Sequence, residues 1–233
     1  MSVDDVLSSF DQPMGLLPLP NVVLLPEATL PLQILEPRYR AMVRDALSDD
    51  ALIALALLQP GFEPSYYTNM ADIYPTVCVG RIREYVQIQD GRYFVSLFGL
   101  CRARVQEEDR HGEYRLAVLE PMVSPDTGVD ADGEYAARGR CQQILSAQEF
   151  ESFEGISHLR AFVHGGTSLA KIVDKLAAHL LPMEAFEIKQ RLLEEPDVLQ
   201  RAETLVRELK MIQQALETRQ NSLEQWPHFG SMN

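Results

Sequence analysis

The chain has 233 residues, of which 46% are hydrophobic, and it carries 21 lysines and arginines against 34 aspartates and glutamates. Its length and apolar content are sufficient for a buried core in one large domain or two small ones. The net charge of −13 disfavours nucleic acid, because phosphates would be repelled, and DNA is excluded from the predicted partners.

Two features of the sequence argue against a membrane protein. The longest apolar run, residues 51–58, is far shorter than the about 20 residues that a membrane-spanning helix requires. The polar N-terminus lacks the charged and then apolar pattern of a signal peptide. We therefore expect a soluble, cytoplasmic protein that does not contact membranes.

The chain begins with sequence typical of β-strands. The apolar run from Leu16 to Leu25 contains Pro18 and Pro20 and predicts an edge or bulged strand, because a central strand cannot lose amide donors. Asn21 is expected to turn or kink this strand. A second strand is predicted at Thr29–Ile34.

A helix and a buried strand are predicted next. Glu36-Pro37 indicates a helix start, because proline is favoured at the first helical position, and the helix should end at Ser48. Residues 51–58 then predict a buried strand, and a long loop is expected from Pro60 to Pro75.

The clearest β signal is a hairpin. It is predicted to comprise Val77–Gln89 and Arg92–Leu100, with Asp90-Gly91 between them in a type I′ turn. One more strand is expected at Tyr114–Leu119. Short strands with a single helix favour a small, mostly antiparallel barrel or sandwich.

The second half of the chain has the period of helices. Ser168 is expected to cap a helix that Pro182 ends, a second helix is expected from Glu184 to Glu194, and Asp197 should cap the last helix. The predicted regions are a flexible N-terminus at 1–15, a β subdomain at 16–123, a linker at 124–133, a helical subdomain at 134–220 and a tail at 221–233.

No catalytic, metal-binding or cofactor-binding motif is complete in this sequence. Asp130, Asp132 and Gly133 resemble part of an EF-hand loop, but its first carboxylate and its final glutamate are missing. Ser168 and Lys171 form S-x-x-K without the accompanying K-T-G and S-D-N, and there is no P-loop sequence. The histidines show no zinc-site spacing, and the three cysteines predict reduced thiols. The sequence therefore predicts a binding protein without enzymatic activity and without a cofactor.

Aromatic residues are concentrated in the long loop between Pro60 and Pro75. They are Phe62, Tyr66, Tyr67 and Tyr74. Loops of this length are often functional, so the rings are candidates for contact with a peptide or ligand. The alternative is that they fold back as a lid over the barrel core.

Three blocks of sequence resemble the N-terminal domain of Lon proteases. They are LPLPNVVLLPEATLPLQILEPRYR and the residues after it at 17–47, VCVGRIREYVQIQDGRYFVSLFGLCRARV at 77–105, and KQRLLEEPDVLQRAETLVREL at 189–209. The departures from the family pattern are small. Leu24 and Leu35 replace aromatic residues, Glu27 stands where the family often has glycine, and Ala202 replaces a leucine.

The resemblance implies an α+β fold, with a PUA-like, mostly antiparallel β-barrel subdomain followed by a C-terminal α-helical bundle. In full Lon proteases this region engages protein substrates and helps assembly, and the ATPase and protease domains follow it. The resemblance therefore suggests a free-standing protein of this type, which binds unfolded polypeptides or a partner protein in protein quality control, and a Lon-type protease is one candidate partner.

The predicted polypeptide-binding residues are Phe62, Tyr66, Tyr67, Tyr74, Leu35 and Arg38, and an apolar groove is expected near the junction of the two subdomains. RNA binding is the first alternative, because PUA-like barrels elsewhere bind RNA. Five arginines lie close together on the hairpin and its exit: Arg81, Arg83, Arg92, Arg102 and Arg104. A small-molecule sensor, or a hydrolase that uses Glu36, is the second.

Overall fold

The computed structural model describes residue 10, residues 12–122 and residues 131–224. The strands are β1 (Met14–Leu19), β2 (Thr29–Ile34), β3 (Leu52–Leu57), β4 (Thr76–Gln87), β5 (Tyr93–Asp109) and β6 (Arg115–Pro121). The helices are α1 (Pro37–Leu47), α2 (Ala131–Leu145), α3 (Ile156–His164), α4 (Leu169–Leu180), α5 (Phe186–Glu194) and α6 (Val198–Glu224). Short 3-10 turns lie at Glu63–Ser65 and Gln148–Phe150.

Most of the strands close into a barrel, and β2 extends the sheet at one edge. Pairing runs from β1 through β3, β4 and β5 to β6 and returns from β6 to β1, while β2 pairs with the first part of β5. Among the described strands only β1 and β3 form a parallel pair, and β2 and α1 provide the long crossover that a parallel pair requires. The predicted α+β fold, a mostly antiparallel barrel followed by a helical bundle, is confirmed.

The prediction that the first strand lies at an edge is wrong. β1 has β3 on one side and β6 on the other. Pro18 is tolerated in this strand because β6 pairs only with residues 14–16. At Pro18, β3 is therefore the single strand partner. The strand ends at Leu19, and Asn21 turns the chain with a φ of 57°, a conformation that asparagine tolerates.

The hairpin is confirmed, but its type I′ turn is not. The Gly91 amide donates to the Ile88 carbonyl, and the Ile88 amide donates to the Arg92 carbonyl, which leaves three residues in the loop. Gly91 has a φ of 83°, whereas Asp90 is not among the residues with positive φ. This is a type I turn followed by a glycine in the left-handed conformation. A type I′ turn requires positive φ at two positions, whereas here only Gly91 has it. β5 also continues to Asp109, well beyond the predicted end at Leu100.

The three helices predicted in the second half are present, whereas α2 and α3 were not predicted as separate elements. Ser168 is the N-cap of α4 by position, although its side chain makes no capping hydrogen bond. The Asp197 carboxylate accepts hydrogen bonds from the Leu199 and Gln200 amides at 2.8 and 3.4 Å and caps α6. α2 begins at Ala131, within the segment predicted as a linker, and residues 123–130 of that segment lie outside the described residues. No helix in the described ranges is long and apolar enough to cross a bilayer.

A glycine allows the segment after β1 to cross the barrel. A Cβ atom on Gly99 would lie 2.2 Å from the Leu25 carbonyl oxygen, so only glycine fits there. The Gly99 amide donates to the Ala28 carbonyl at 2.9 Å, and the Glu27 amide donates to the Gly99 carbonyl at 3.0 Å. These contacts fix residues 25–28 against β5, where they face the helical bundle.

A buried ion pair joins the barrel to the bundle. The Arg102 guanidinium on β5 donates to both carboxylate oxygens of Asp174 on α4, at 2.7 and 2.5 Å, and both side chains are almost fully buried. Arg102 also donates to the carbonyls of Leu192 and Leu193 near the end of α5. The Gln190 amide group of α5 donates to the Thr76 carbonyl of β4 at 3.0 Å. One continuous apolar core spans both halves around these contacts.

We expect Asp174→Ala to destabilise the protein by about 3–5 kcal/mol, because it leaves the Arg102 charge buried without a counter-ion. Urea-induced unfolding measures the change. The control is Lys171→Ala on the same helix, whose ion pair with Glu27 is largely solvent-exposed and should cost less than about 1 kcal/mol. Equal losses in the two variants would contradict a dominant role for the buried pair.

Candidate functional site

Arg38 holds the aromatic loop, residues 60–75, in place. Its guanidinium donates to the carbonyls of Thr68 and Tyr66 at 2.6 and 2.9 Å and to the Asn69 side chain at 3.2 Å. It also pairs with Glu36 at 2.9 Å. Four acceptors therefore surround one largely buried guanidinium, which makes Arg38 a clamp for the loop.

The structure brings together three of the four predicted aromatic residues. The Phe62 and Tyr66 ring centroids are 5.7 Å apart, and those of Tyr66 and Tyr67 are 4.9 Å apart. Phe62 and Tyr66 are half-buried against the apolar cluster of the barrel. This position agrees with the alternative interpretation, in which the rings fold back as a lid over the barrel core. Tyr67 is 82% exposed, and Tyr74 lies further along the loop, where its amide donates to the Leu57 carbonyl.

Leu35 is the remaining predicted contact residue. It is 49% exposed at the end of β2, and its carbonyl accepts a hydrogen bond from Arg40 at 2.7 Å. Neither Leu35 nor any of the other five predicted residues lines the groove at the junction of barrel and bundle. Their role in binding stays a prediction.

The five hairpin arginines do not form one free cationic surface. Arg102 is buried in the ion pair with Asp174, and Arg92 pairs with Asp90 at 2.7 Å. Arg81 donates to the Asp50 carbonyl, and the guanidinium of Arg83 lies 3.3 Å from the centre of the Phe98 ring. Four of the five cations thus have partners within the protein, which disfavours a phosphate-binding surface here.

An apolar groove lies where the barrel meets the bundle. This junction groove has a volume of about 300 Å³ and runs between the segment after β1, the start of β2, and the helices α4 and α5. Its lining residues are Asn21, Val22, Val23, Leu24, Leu25, Ala28, Thr29, Leu30, Pro31, Ala178, His179, Met183 and Lys189. Met183 is 67% exposed at the groove, although its side chain is apolar.

Lys189 is the one cation buried in the junction groove. The residue is 8% exposed, and in the described parts of the chain its ammonium has no hydrogen bond and no ion pair. Burial lowers the pKa of Lys189, and the charge of Glu184 partly opposes this shift. His179 also lines the groove, with its Nδ1 2.9 Å from the Lys175 carbonyl.

The edge of the sheet meets the junction groove. β2 pairs with β5 on one side and with no other strand among the described residues, and Thr29, Leu30 and Pro31 of this strand line the groove. An edge strand presents unpaired amides and carbonyls that an extended peptide can use. Apolar side-chain contacts and backbone hydrogen bonds are therefore available at the same place.

A second cavity, of about 200 Å³, is acidic. It lies beside α1 and is lined by Asp45, Asp49 and Asp50, with the Tyr114 hydroxyl 3.0 Å from the Asp45 carboxylate. Within the described ranges, no group of three or more His, Cys, Asp or Glu side chains is arranged to hold a metal ion. Asp132 and Gly133 of the EF-hand-like stretch lie in α2, whereas Asp130 lies outside the described residues.

The sequence also indicates that Lys189 is unusual, although it belongs to none of the motifs described above. Leu192 and Leu193 follow Lys189 by three and four positions, and both are buried. Residues at these spacings share one helix face, so the lysine occupies the apolar face of α5. A charged residue in such a position indicates either a buried ion pair or a ligand site.

The chain matches known proteins over most of its length. The family model described as ATP-dependent protease La (LON) substrate-binding domain matches residues 14–211. Lon protease of Escherichia coli (strain K12) is 28% identical over 198 residues, and the match covers 82% of this chain and 24% of that protein. Lon protease of Buchnera aphidicola is 26% identical over 195 residues, with the same coverage. The chain thus spans about a quarter of the length of these relatives.

Two solved structures share the fold. The Lon N-terminal domain protein from Xanthomonas campestris superposes with a TM-score of 0.60 at 23% identity, covering 84% of this chain and 97% of that one. The N-terminal domain of the Mycobacterium avium complex Lon protease gives 0.65 at 16% identity, covering 85% and 98%. These similarities support the fold of barrel and bundle.

We expect Arg38→Met to loosen the aromatic loop while the rest of the fold persists. Hydrogen bonds to charged groups contribute about 1.5–3 kcal/mol each, so loop amides should exchange with deuterium about 10- to 100-fold faster. Hydrogen–deuterium exchange of residues 60–75 measures the effect. Arg44→Met, which removes an exposed pair with Asp45 on the same helix, should leave this exchange unchanged. Unaltered exchange in Arg38→Met would refute the clamp.

Proposed function

Because the chain belongs to the family of the ATP-dependent protease La (LON) substrate-binding domain, we propose that it is a non-catalytic module that binds polypeptides. The ligands are unfolded segments or an extended segment of a partner protein, and the junction groove receives them. The observation that carries this proposal is the open apolar groove beside the free edge of β2, with Met183 exposed at it.

The groove suits an extended segment better than a folded surface. Ligand pockets have volumes of about 300–1,000 Å³, so the junction groove lies at the small end and accommodates only a few side chains. Burying one large apolar side chain contributes about 1.5–3 kcal/mol, and part of this gain is lost in ordering the peptide. Affinities in the micromolar range or weaker follow, as expected for a module that binds and releases many sequences.

The flexible side chain at the groove supports the same function. Methionine is unbranched and polarizable, so it adapts to ligands of different shape and is common on surfaces that bind many partners. A net charge of −13 also keeps this protein soluble while it holds apolar segments. Cooperation with a Lon-type protease in cytoplasmic protein quality control is part of the proposal and is supported by the family relationship alone.

The aromatic loop is the second candidate surface. Tyr67 is 82% exposed beside the half-buried rings of Phe62 and Tyr66, and exposed tyrosines are frequent at binding surfaces. The clamp by Arg38 leaves this surface less adaptable than the groove. RNA binding has less support, because four of the five hairpin arginines have partners within the protein.

We expect Met183→Asp to weaken the binding of unfolded polypeptides about tenfold or more, because it replaces an apolar contact with a carboxylate that must be desolvated. Fluorescence anisotropy with a labelled, permanently unfolded protein measures the affinity. The matched control is Met211→Asp on α6, where the methionine is 51% exposed outside the groove and the affinity should not change.

The same titration locates the binding surface. A loss in Tyr67→Ser with none in Met183→Asp would transfer the site to the aromatic loop. If the unaltered protein fails to bind unfolded polypeptides at micromolar concentrations, the proposed function is wrong.

A further inference from the structure

Lys189 is buried in the lining of the junction groove, and no carboxylate forms an ion pair with its ammonium among the described residues. A buried charge is costly unless it is paired and hydrogen-bonded. The other lysines at the junction have partners, since Lys171 pairs with the Glu27 carboxylate at 3.2 Å and Lys175 donates to the Glu27 carbonyl at 3.2 Å. Lys189 is more buried than either and has no such partner in the described parts of the chain.

The lining of the junction groove contains no acidic side chain. Lys189 and His179 are its titratable residues, and the rest of the lining is apolar or uncharged. The chain carries 34 aspartates and glutamates, and their absence from the lining of this groove leaves the lysine available for an external anion. Glu184, whose charge partly opposes the lowering of the Lys189 pKa, is exposed and does not line the groove.

We propose that the junction groove binds the C-terminal end of a polypeptide, with apolar side chains in the groove and the terminal carboxylate on the Lys189 ammonium. This inference rests on the proposed function and names the class of segment that the same groove prefers. The positive charge of Lys189 favours a carboxylate, and the apolar lining favours apolar side chains next to that carboxylate.

The depth of the lysine favours a chain terminus over an internal acidic residue. Lys189 is 8% exposed, so an anion that contacts this side chain must lose much of its own hydration within the groove. A terminal carboxylate ends the chain at that point, and nothing has to continue past the buried cation. An internal aspartate or glutamate would need room for the chain on both sides of it, in a groove of about 300 Å³.

The first experiment requires no variant. A labelled peptide with an apolar C-terminal sequence is titrated into the protein as the free acid and as the C-terminal amide, at one pH and one ionic strength. We expect the free acid to bind about tenfold more tightly or better, because a charge-assisted hydrogen bond forms only with the carboxylate. Equal affinities would overturn the inference while leaving the proposed function intact.

The second experiment assigns the preference to Lys189. Lys189→Met keeps an unbranched apolar side chain in the same place, so it should bind both peptides with the affinity of the amide. Its melting temperature should equal or exceed that of the unaltered protein, because a buried unpaired charge is removed. Lys210→Met, a lysine outside the junction groove, should retain the preference for the free acid. A preference that persists in Lys189→Met would refute the assignment.

Two further ligands distinguish the sources of the carboxylate. An amidated peptide with an internal glutamate and a medium-chain fatty acid both carry a carboxylate on an apolar body. Competition by the free-acid peptide but by neither of these supports recognition of a chain terminus. Equal competition by either one overturns that part of the inference. If only the long unfolded protein binds, the inference fails and the proposed function stands; if nothing binds, both fail.

Discussion

Arg102 and Asp174 share two hydrogen bonds where β5 meets α4, and both side chains are almost fully buried. A buried pair of charges is tolerated only when its remaining donors are also satisfied. Arg102 meets this requirement by donating to the carbonyls of Leu192 and Leu193, which lie among the last residues of α5. Carbonyls at the end of a helix lack partners within the helix, so the guanidinium stabilises α5 as well. One side chain therefore sets the positions of α4 and α5 relative to the barrel, and with them the two helical sides of the junction groove.

Cations are concentrated around this ion pair, although the chain as a whole is acidic. Arg201 is fully buried near Arg102 and donates to the carbonyls of Glu195 and Pro196 at 2.7 and 3.1 Å. Burial and the neighbouring charge of Arg102 lower the pKa of Arg201 to about 10, so it remains a cation at neutral pH. Asp174 is the one buried carboxylate between the two arginines. Asp174 neutralises the charge of Arg102, so Lys189 is the residue that gives the groove lining its positive charge.

The sequence predicted the parts of the fold that local rules determine. The strand at 29–34, the helix after Pro37 and the cap at Asp197 follow from alternation, proline placement and capping chemistry, and all were confirmed. Closure of the barrel was different, because β6 pairs with β1 almost at the other end of the described barrel sequence, as Leu116 does with Gly15, and no local pattern specifies that pairing. The same limit applies to Arg102, since its partner is 72 positions away and on a helix. Lys189 was visible as a charge on an apolar helix face, but only the structure places it in a groove.

Glu27 connects a departure from the family pattern to the geometry of the groove. The family often has glycine there, and the residue has a φ of 62°, a left-handed conformation that favours glycine. Here the strained backbone is held by hydrogen bonds on both sides, because its amide donates to Gly99 and its carbonyl accepts from Lys175. The carboxylate also pairs with Lys171, so α4 contacts the segment after β1 twice through one residue.

These two contacts keep one side of the groove in place and occupy two lysines that would otherwise be free. The structure thus separates two kinds of lysine at the junction. Lys171 and Lys175 join α4 to the segment after β1 through Glu27, whereas Lys189 on α5 has no ion pair or side-chain hydrogen bond among the described residues. The place of Lys189 in the lining of a concave surface is explained most directly by an anion that it binds.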